Sequence, residues 1–139
     1  MFTIDTSTDF GARVARRLQE ETVIWLTTVG HDGTPEPSPV WFLWTGSDVL
    51  IFSQRNKPKL RNIARSSAVS LNFDSTNGGN VVIFTGTARL NDAAPSAEER
   101  DAYNQKYDDD IRRIGFDLDS FHQEYSVPLR VTPEKLRGF

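Results

Sequence analysis

At 139 residues, with 37% hydrophobic and 25% charged side chains and a formal net charge of -3, the chain is sized for a single domain, 1–139, built on one core. These proportions exclude a disordered, collagen-like or membrane-spanning chain, and the absence of cysteine excludes disulfides, thiolate chemistry and cysteine zinc sites. The slight acidity argues against a general nucleic-acid binder, and "MFTIDTSTDF" has no cationic segment followed by an apolar core, so the cytoplasm is the default location.

The first predicted element is a helix. Phe10, Val14 and Leu18 recur at helical spacing after a Ser7, Thr8, Asp9 capping cluster, which predicts an amphipathic helix over residues 8–21. "TVIWLTTV" (22–29) is rich in β-branched residues and stops at the turn "GHDGTP", and "PVWFLWTG" (39–46) follows as the second strand of a hairpin. Ser47 and Asp48 turn the chain into a third strand, "VLIFS" (49–53). From Pro58, a favoured first-turn residue, "PKLRNIARS" places Leu60, Ile63 and Ala64 on one face of a short helix. "AVSLNFD" and "VVIFTGTARL", joined by "STNGGN", read as strands four and five, and "VPLRVTPEKLRG" as strand six. Between Asn91 and Glu124 lie ten Asp or Glu against four Arg or Lys, on sequence that reads as helical over 97–114. Six strands with short turns and peripheral helices predict a mainly β fold, a six-stranded antiparallel barrel.

In the hairpin, Val40, Phe42 and Trp44 alternate on one face while Trp41 and Leu43 occupy the other. One face fills the barrel, and the other needs a helix, a partner chain or a planar ligand. Pro37 and Pro39 remove two backbone donors just before this strand, which fits a sheet edge or a bulge beside a ligand.

The charge pattern supplies the candidate site. From Val49 to Phe73 there are five cations, Arg55, Lys57, Lys59, Arg61 and Arg65, and no Asp or Glu. Such a run either faces water, pairs with the acidic segment after Asn91, or binds an anion. Arg55 and Lys57 fall where strand three ends and Lys59 falls in the first turn of the next helix, where the macrodipole already disfavours a cation. That junction favours an anion site suited to phosphate.

No GxGxxG, Walker loop or GxSxG elbow is present, so the Rossmann, nucleotide-triphosphatase and serine-hydrolase classes lack their signatures. His31, in a turn, and His122 read as surface histidines, and "DDD" at Asp108–Asp110 lacks the spacing and glycine of a calcium loop. No metal site is expected.

The ordered set "WLTTVGHDGTPEPSPVWFLW", "LIFSQRNKPKLRNIARSSAVSLNFD", "GTARL" and "VPLRVTPEKLRGF" resembles the pyridoxamine 5'-phosphate oxidase-like proteins, in particular their small deazaflavin-dependent branch. The resemblance spans nearly the whole chain. It implies an FMN-binding type of split β-barrel, a homodimer, and FMN or coenzyme F420, an 8-hydroxy-5-deazaflavin, in a groove at the dimer interface. Carried over, the phosphate grip falls on Ser53, Gln54, Arg55 and Lys57, with Lys59 and Arg61 as weaker candidates, and Pro39, Val40 and Trp41 lie along the tricyclic ring. Four cations reaching past the strand end suit the extended anionic tail of F420 better than the single compact phosphate of FMN. The chain lacks the C-terminal stretch that true pyridoxamine phosphate oxidases use for substrate.

The expectation is an oxidoreductase that passes a hydride from reduced F420 to an electron-poor small-molecule acceptor such as an enone, quinone or tetrapyrrole. An FMN-dependent oxidase or reductase on the same fold is the first alternative. A non-enzymatic carrier of deazaflavin, flavin or haem is the second. Cofactor chemistry of this kind needs apolar walls and an anchor more than a catalytic triad, and no catalytic residue is singled out: Tyr103, Tyr107, Tyr125, His31 or solvent could supply a proton.

Overall fold

The computed structural model describes residues 2–139. In chain order it consists of α1 (Asp9–Glu20), β1 (Ile24–Val29), β2 (Pro35–Val40), β3 (Leu43–Trp44), β4 (Val49–Ser53), α2 (Pro58–Arg65), β5 (Ala68–Asn72), β6 (Val82–Arg89), α3 (Ala97–Arg113), α4 (Leu118–Glu124) and β7 (Val127–Gly138). The strands form one antiparallel sheet in the order β2-β1-β5-β6-β7-β4-β3. No helix among the described residues is long and apolar enough to cross a membrane.

The strand expected over 39–46 is two strands, so the sheet has seven strands rather than six. The chain runs as β2 along one edge, leaves the ladder at Trp41 and Phe42, and resumes as β3 on the opposite edge. Three peptide units separate Val40 from Leu43, a span of at most about 11 Å. The two edges therefore lie close together, and the sheet must roll into a split barrel. Strand β2 also begins earlier than expected. Pro35, Pro37 and Pro39 stand opposite Val29, Thr27 and Trp25, and proline lacks the donor that a central strand would need. Alternate prolines are compatible only with an edge, and they blunt that edge against further pairing.

The alternation read from the hairpin holds across the break. Val40 and Phe42 are buried in the barrel with Trp44 packed against them, alongside Val14 and Leu18 of α1, Leu26, Ile51, Leu71 and Val131. Trp41 and Leu43 pack on the outer face into a second cluster of Leu50, Phe52, Tyr103, Tyr107, Ile111 and Phe121. Helices α3 and α4 supply the cover that the sequence required for that face. Strand β4 is buried along its whole length because Val49 and Ile51 face the barrel while Leu50 and Phe52 face the helices.

Leaving the ladder strips Phe42 of strand partners for its backbone, and a buried unpaired amide is costly. Helix α3 makes good the loss. The Tyr107 hydroxyl accepts the Phe42 N–H at 2.8 Å and donates to the Thr22 carbonyl at 2.8 Å, while Lys106 Nζ donates to the Phe42 carbonyl at 2.9 Å. The ammonium also sits 3.8 Å from the centroid of the Phe42 ring, a cation–π contact. Burial pushes the Lys106 ammonium down to about 8 and pushes the Tyr107 phenol up.

The start of α3 is fixed by a second device. Ser96 and Glu99 form a reciprocal capping box, and Glu99 also takes Arg130 of β7 at 2.6 Å. Arg130 is buried and adds bonds to the Ala93 and Ala94 carbonyls and to Asp48 in the β3–β4 turn. The Arg130 guanidinium holds the Glu99 carboxyl down to about 2, against the desolvation that opposes ionisation.

The sequence placed α1 within a residue at each end, capped by Thr8, whose hydroxyl accepts the Gly11 N–H at 2.9 Å. In α2, Ile63 is buried and Leu60 half-buried, but Ala64 faces out. The third inward position belongs to Asn62, which donates to Thr28 Oγ1 at 3.0 Å and Glu36 Oε1 at 2.8 Å. Helix α4 was not anticipated, because its seven residues are shorter than the window in which helical periodicity shows.

Two outcomes follow from these clamps. Tyr107→Phe removes one oxygen and leaves the buried Phe42 amide without an acceptor. Stability should drop by about 1–3 kcal/mol, read as a lower urea midpoint at unchanged m. Because the folded-state pKa of Glu99 lies below the ordinary 4.5, its contribution is present above that value and is lost as pH falls from 4.5 through about 2. Acid titrations of stability should therefore be flatter over that window in Glu99→Gln than in the parent protein.

Candidate functional site

Breaking the sheet between β2 and β3 leaves the end of β2 beside the end of β4, under the helical cover. A cavity of about 270 Å³ opens there. It is lined by Pro39, Val40 and Trp41, by Phe52, Ser53 and Gln54, by Lys57 and Lys59, by Tyr103 and Ile114 of the α3 region and by Phe121 and Tyr125 of the α4 region.

Seven of the nine residues assigned from sequence thus meet in one place: Pro39, Val40, Trp41, Ser53, Gln54, Lys57 and Lys59. Arg55 and Arg61 do not line the cavity. Arg55 is exposed just before Asn56, whose left-handed backbone (φ 64°) turns the chain between Arg55 and Lys57. Arg61 is two residues beyond Lys59 on α2, about 200° around the helix, and its guanidinium folds back to the Asn56 carbonyl at 3.3 Å.

The electrostatics of the cationic run are unbalanced. Among the described residues, none of Arg55, Lys57, Lys59 and Arg61 is in an ion pair. Within the acidic segment after Asn91, the ion pairs are Asp108 with Arg112, Asp110 with Arg113 and Glu99 with Arg130, none of them with these four cations. Lys57 is the N-cap of α2 and provides no side-chain cap bond, and the first turn holds no acid. Burial, and then the neighbouring Lys57, push the Lys59 ammonium below its ordinary range. A bound anion would relieve all three conditions at once.

The remaining polar side chains are partly engaged. The Ser53 hydroxyl is buried and donates to the Gln54 carbonyl at 2.8 Å, while Gln54 Nε2 donates to Glu124 Oε1 at 2.9 Å. Trp41 stacks with Tyr107 at 4.8 Å (7° between planes) and with Phe121 at 5.8 Å (18°).

The candidate proton donors separate. Tyr103 and Tyr125 line the cavity, although burial pushes the Tyr103 phenol up. Tyr107 is committed to the backbone of Thr22 and Phe42, and His31 is exposed in the β1–β2 turn. His122 is not the surface histidine expected. Its ring packs against Phe52 and Phe121, Nε2 meets Asn104 Oδ1 at 2.7 Å, and burial lowers its pKa. Sequence reasoning missed Phe52, Ile114 and Phe121 as cavity walls. The i,i+4 pair Phe121 and Tyr125, stacked at 4.6 Å, was the available signal.

Comparison with known proteins fits this arrangement. Residues 10–138 match the family model described as pyridoxamine 5'-phosphate oxidase. Among curated proteins, none matches the sequence. Solved structures share the fold at low identity. One described as an F420 reductase has 21% identity and a TM-score of 0.64, covering 88% of this chain and 94% of that one. HutZ, described as the heme storage protein of Vibrio cholerae, has 18% identity and a TM-score of 0.65, with 94% and 95% covered. The conserved hypothetical protein Rv2991 of Mycobacterium tuberculosis has 19% identity and a TM-score of 0.67, with 91% and 81% covered. A rolled antiparallel barrel whose strand break and β4 end enclose one cavity, together with a family match over all but the chain's extremities, makes this chain a member of the pyridoxamine 5'-phosphate oxidase family of split-barrel proteins.

Proposed function

We propose that this protein is an oxidoreductase that passes a hydride from reduced coenzyme F420 to an electron-poor organic acceptor such as an enone, a quinone or a tetrapyrrole. The observation that carries the reading is the pair of lysines, Lys57 and Lys59, lining a largely aromatic and apolar cavity with no carboxylate partner among the described residues. Unpaired cations at a helix start, with Lys59 partly desolvated, fit the phosphate of a flavin-type cofactor. Arg55 and Arg61, exposed on either side, are available to the further anions of an F420 tail, which FMN lacks.

When bound, reduced F420 supplies the hydride, and the acceptor takes it with one proton to become the two-electron-reduced product. The chain's own part is positional. Lys57 and Lys59 anchor the phosphate, with Gln54 at the same rim. Pro39, Val40 and Trp41 flank the ring, and Phe52, Phe121 and Ile114 exclude water from the transfer. Tyr103 and Tyr125 are the two phenols on the wall, and solvent serves where neither reaches.

A cavity of about 270 Å³ falls below the roughly 300–1,000 Å³ of ligand sites, too little for a phosphorylated tricycle and an acceptor together. We therefore propose a homodimer in which a second copy completes the site; the mild acidity of the chain supports reading it as a cytoplasmic protein without nucleic-acid or membrane partners. The outer face of β1, β5 and β6, where Trp25, Asn72 and Ile83 are half-buried around a shallow depression, is open to such a copy.

A second reading is a carrier that holds the deazaflavin, a flavin or haem without turnover. The engagement of Tyr107 and Ser53 in internal hydrogen bonds, leaving few free acid–base groups, favours it, as does the similarity to HutZ, a heme storage protein.

Titration of ligand-stripped protein with F420 and with FMN, followed by fluorescence, separates the cofactors. Tight FMN binding without F420 binding would reject the choice made here. Lys57→Ala with Lys59→Ala should weaken binding about 10- to 100-fold at unchanged melting temperature, since each charge-assisted bond contributes about 1.5–3 kcal/mol in part shared with solvent. Arg55→Ala alone should change it by less than about threefold, as expected of an exposed charge. In stopped flow, an oxidoreductase hastens oxidation of bound reduced cofactor by at least one acceptor in a quinone and enone panel, and a carrier hastens none.

A further inference from the structure

A second opening lies at the other end of the β4–β7 ladder from the cavity described above. Ser53 pairs with Val127 at one end of that ladder and Val49 with Val131 at the other, about 13 Å along the strand. Just beyond Val49 and Val131, a groove of about 890 Å³ is lined by Trp44, Ser47, Pro133 and Glu134, together with Phe2 and Ile4 of the N-terminal segment. It shares no lining residue with the first cavity, and its volume lies within the roughly 300–1,000 Å³ of ligand sites. Glu134 is the one charged residue on its lining, and among the described residues it is in no ion pair. Trp44 is half-buried, and among the described residues no aromatic ring packs against its indole and no cation lies over it.

Strand β7 is bulged at this point. Gly86 pairs with Pro133 and Thr85 with Lys135, so Glu134 has no partner on β6. The side-chain alternation shifts with it: Val131 packs in the barrel before the bulge and Leu136 after it, an odd and an even position. A side chain at Gly86 would collide with the Thr132 carbonyl, so the close approach of the strands beside Glu134 requires glycine. Bulges of this kind re-aim side chains next to functional sites.

We propose that this groove is a second ligand site, taking an organic ammonium ion with an apolar body, its cation paired with Glu134 and set against the Trp44 indole. Phe2, Ile4 and Pro133 receive the apolar body, and the complementarity is one of charge. A carboxylate without a cation and an uncovered indole both attract an ammonium, the quaternary kind above all, because it sheds water easily and tryptophan offers the best ring face for it. No lining residue would hold an anion. A metal ion needs several oxygen ligands, and among the described residues no three His, Cys, Asp or Glu side chains gather to hold one. The site does not depend on what binds at Lys57 and Lys59. Glu134 also borders a depression lined by residues of β1, β5 and β6, so the rival role for it is in a subunit contact.

The test titrates benzyltrimethylammonium into the intact protein by calorimetry, with benzyl alcohol as the uncharged counterpart and phenylacetate as the anionic one. The ammonium should bind saturably at or below about 10 mM, as one ion pair and one ring contact allow, and the other two at least fivefold more weakly. Glu134→Gln, at an exposed position where loss of folding is not at issue, should weaken the ammonium about three- to fivefold, and Glu134→Lys more than tenfold. Trp44→Leu should weaken it at least threefold, while Trp44→Phe, which keeps a ring, stays within about twofold of the parent. Lys57→Ala with Lys59→Ala should leave it within about twofold. The proposal is overturned if the ammonium does not bind, if benzyl alcohol or phenylacetate binds as well, or if both Glu134 variants leave it unchanged. It is also overturned if Trp44→Phe weakens binding as Leu does, which would assign the effect to packing, or if removing the two lysines tightens it, which would place the probe in the first cavity. A changed oligomeric state of Glu134→Gln in size-exclusion chromatography overturns it too, since the carboxylate would then serve a subunit contact.

Discussion

The structure depends on how the chain crosses from one edge of its sheet to the other. Two residues, Trp41 and Phe42, make that crossing. It is feasible only because α3 accepts the Phe42 N–H with the Tyr107 hydroxyl and covers the Phe42 carbonyl with Lys106. A two-residue gap forces the edges together, which rolls the sheet, and the satisfied backbone lets the gap be buried under apolar side chains instead of opening to water. The same crossing turns Trp41 outward to join the cluster under α3 and α4 and turns Phe42 inward to the barrel. Cavity, barrel closure and helical cover therefore share one origin.

Charge is distributed on the same logic of satisfied and unsatisfied partners. Arg130 is buried with two carboxylates and two carbonyls around it, which is what a buried guanidinium requires to avoid a desolvation penalty of several kcal/mol. Lys59 is also partly desolvated, yet the charge that acts on it is that of another lysine, Lys57. One cation is built into the fold, and the other has no carboxylate partner among the described residues. That contrast separates a structural charge from a binding charge more reliably than the density of cations along the chain.

Most of the barrel was legible in the sequence because its signals are local. Thr8 before a 3.6-residue apolar period marks α1, Pro58 marks the start of α2, and the alternation from Val40 to Trp44 assigned each side chain to its correct face even though the strand itself was misjudged. The misjudgement is instructive. Side-chain alternation persists through a two-residue break, so periodicity cannot report that the hydrogen-bonding partner has changed from β1 to β4. The cationic half of the site was legible for a similar reason, as an unneutralised run at a strand-to-helix junction, but the backbone turn at Asn56 and the 200° between Lys59 and Arg61 decide which cations face inward. The aromatic half was not legible. Phe52 meets Ile114 and Phe121 by packing between segments more than fifty residues apart, and beyond the i,i+4 pair Phe121 and Tyr125 nothing in the local pattern announces the wall.

The account stands on the claim that Lys57 and Lys59 are counter-charges for a cofactor phosphate. A crystal structure of the protein with reduced or oxidised F420 bound tests this most directly. The account predicts a phosphate oxygen within hydrogen-bond distance of at least one of the two ammonium groups, with the ring between Pro39–Trp41 and the helical wall. A ligand whose phosphate lies elsewhere while both lysines stay in solvent would contradict it.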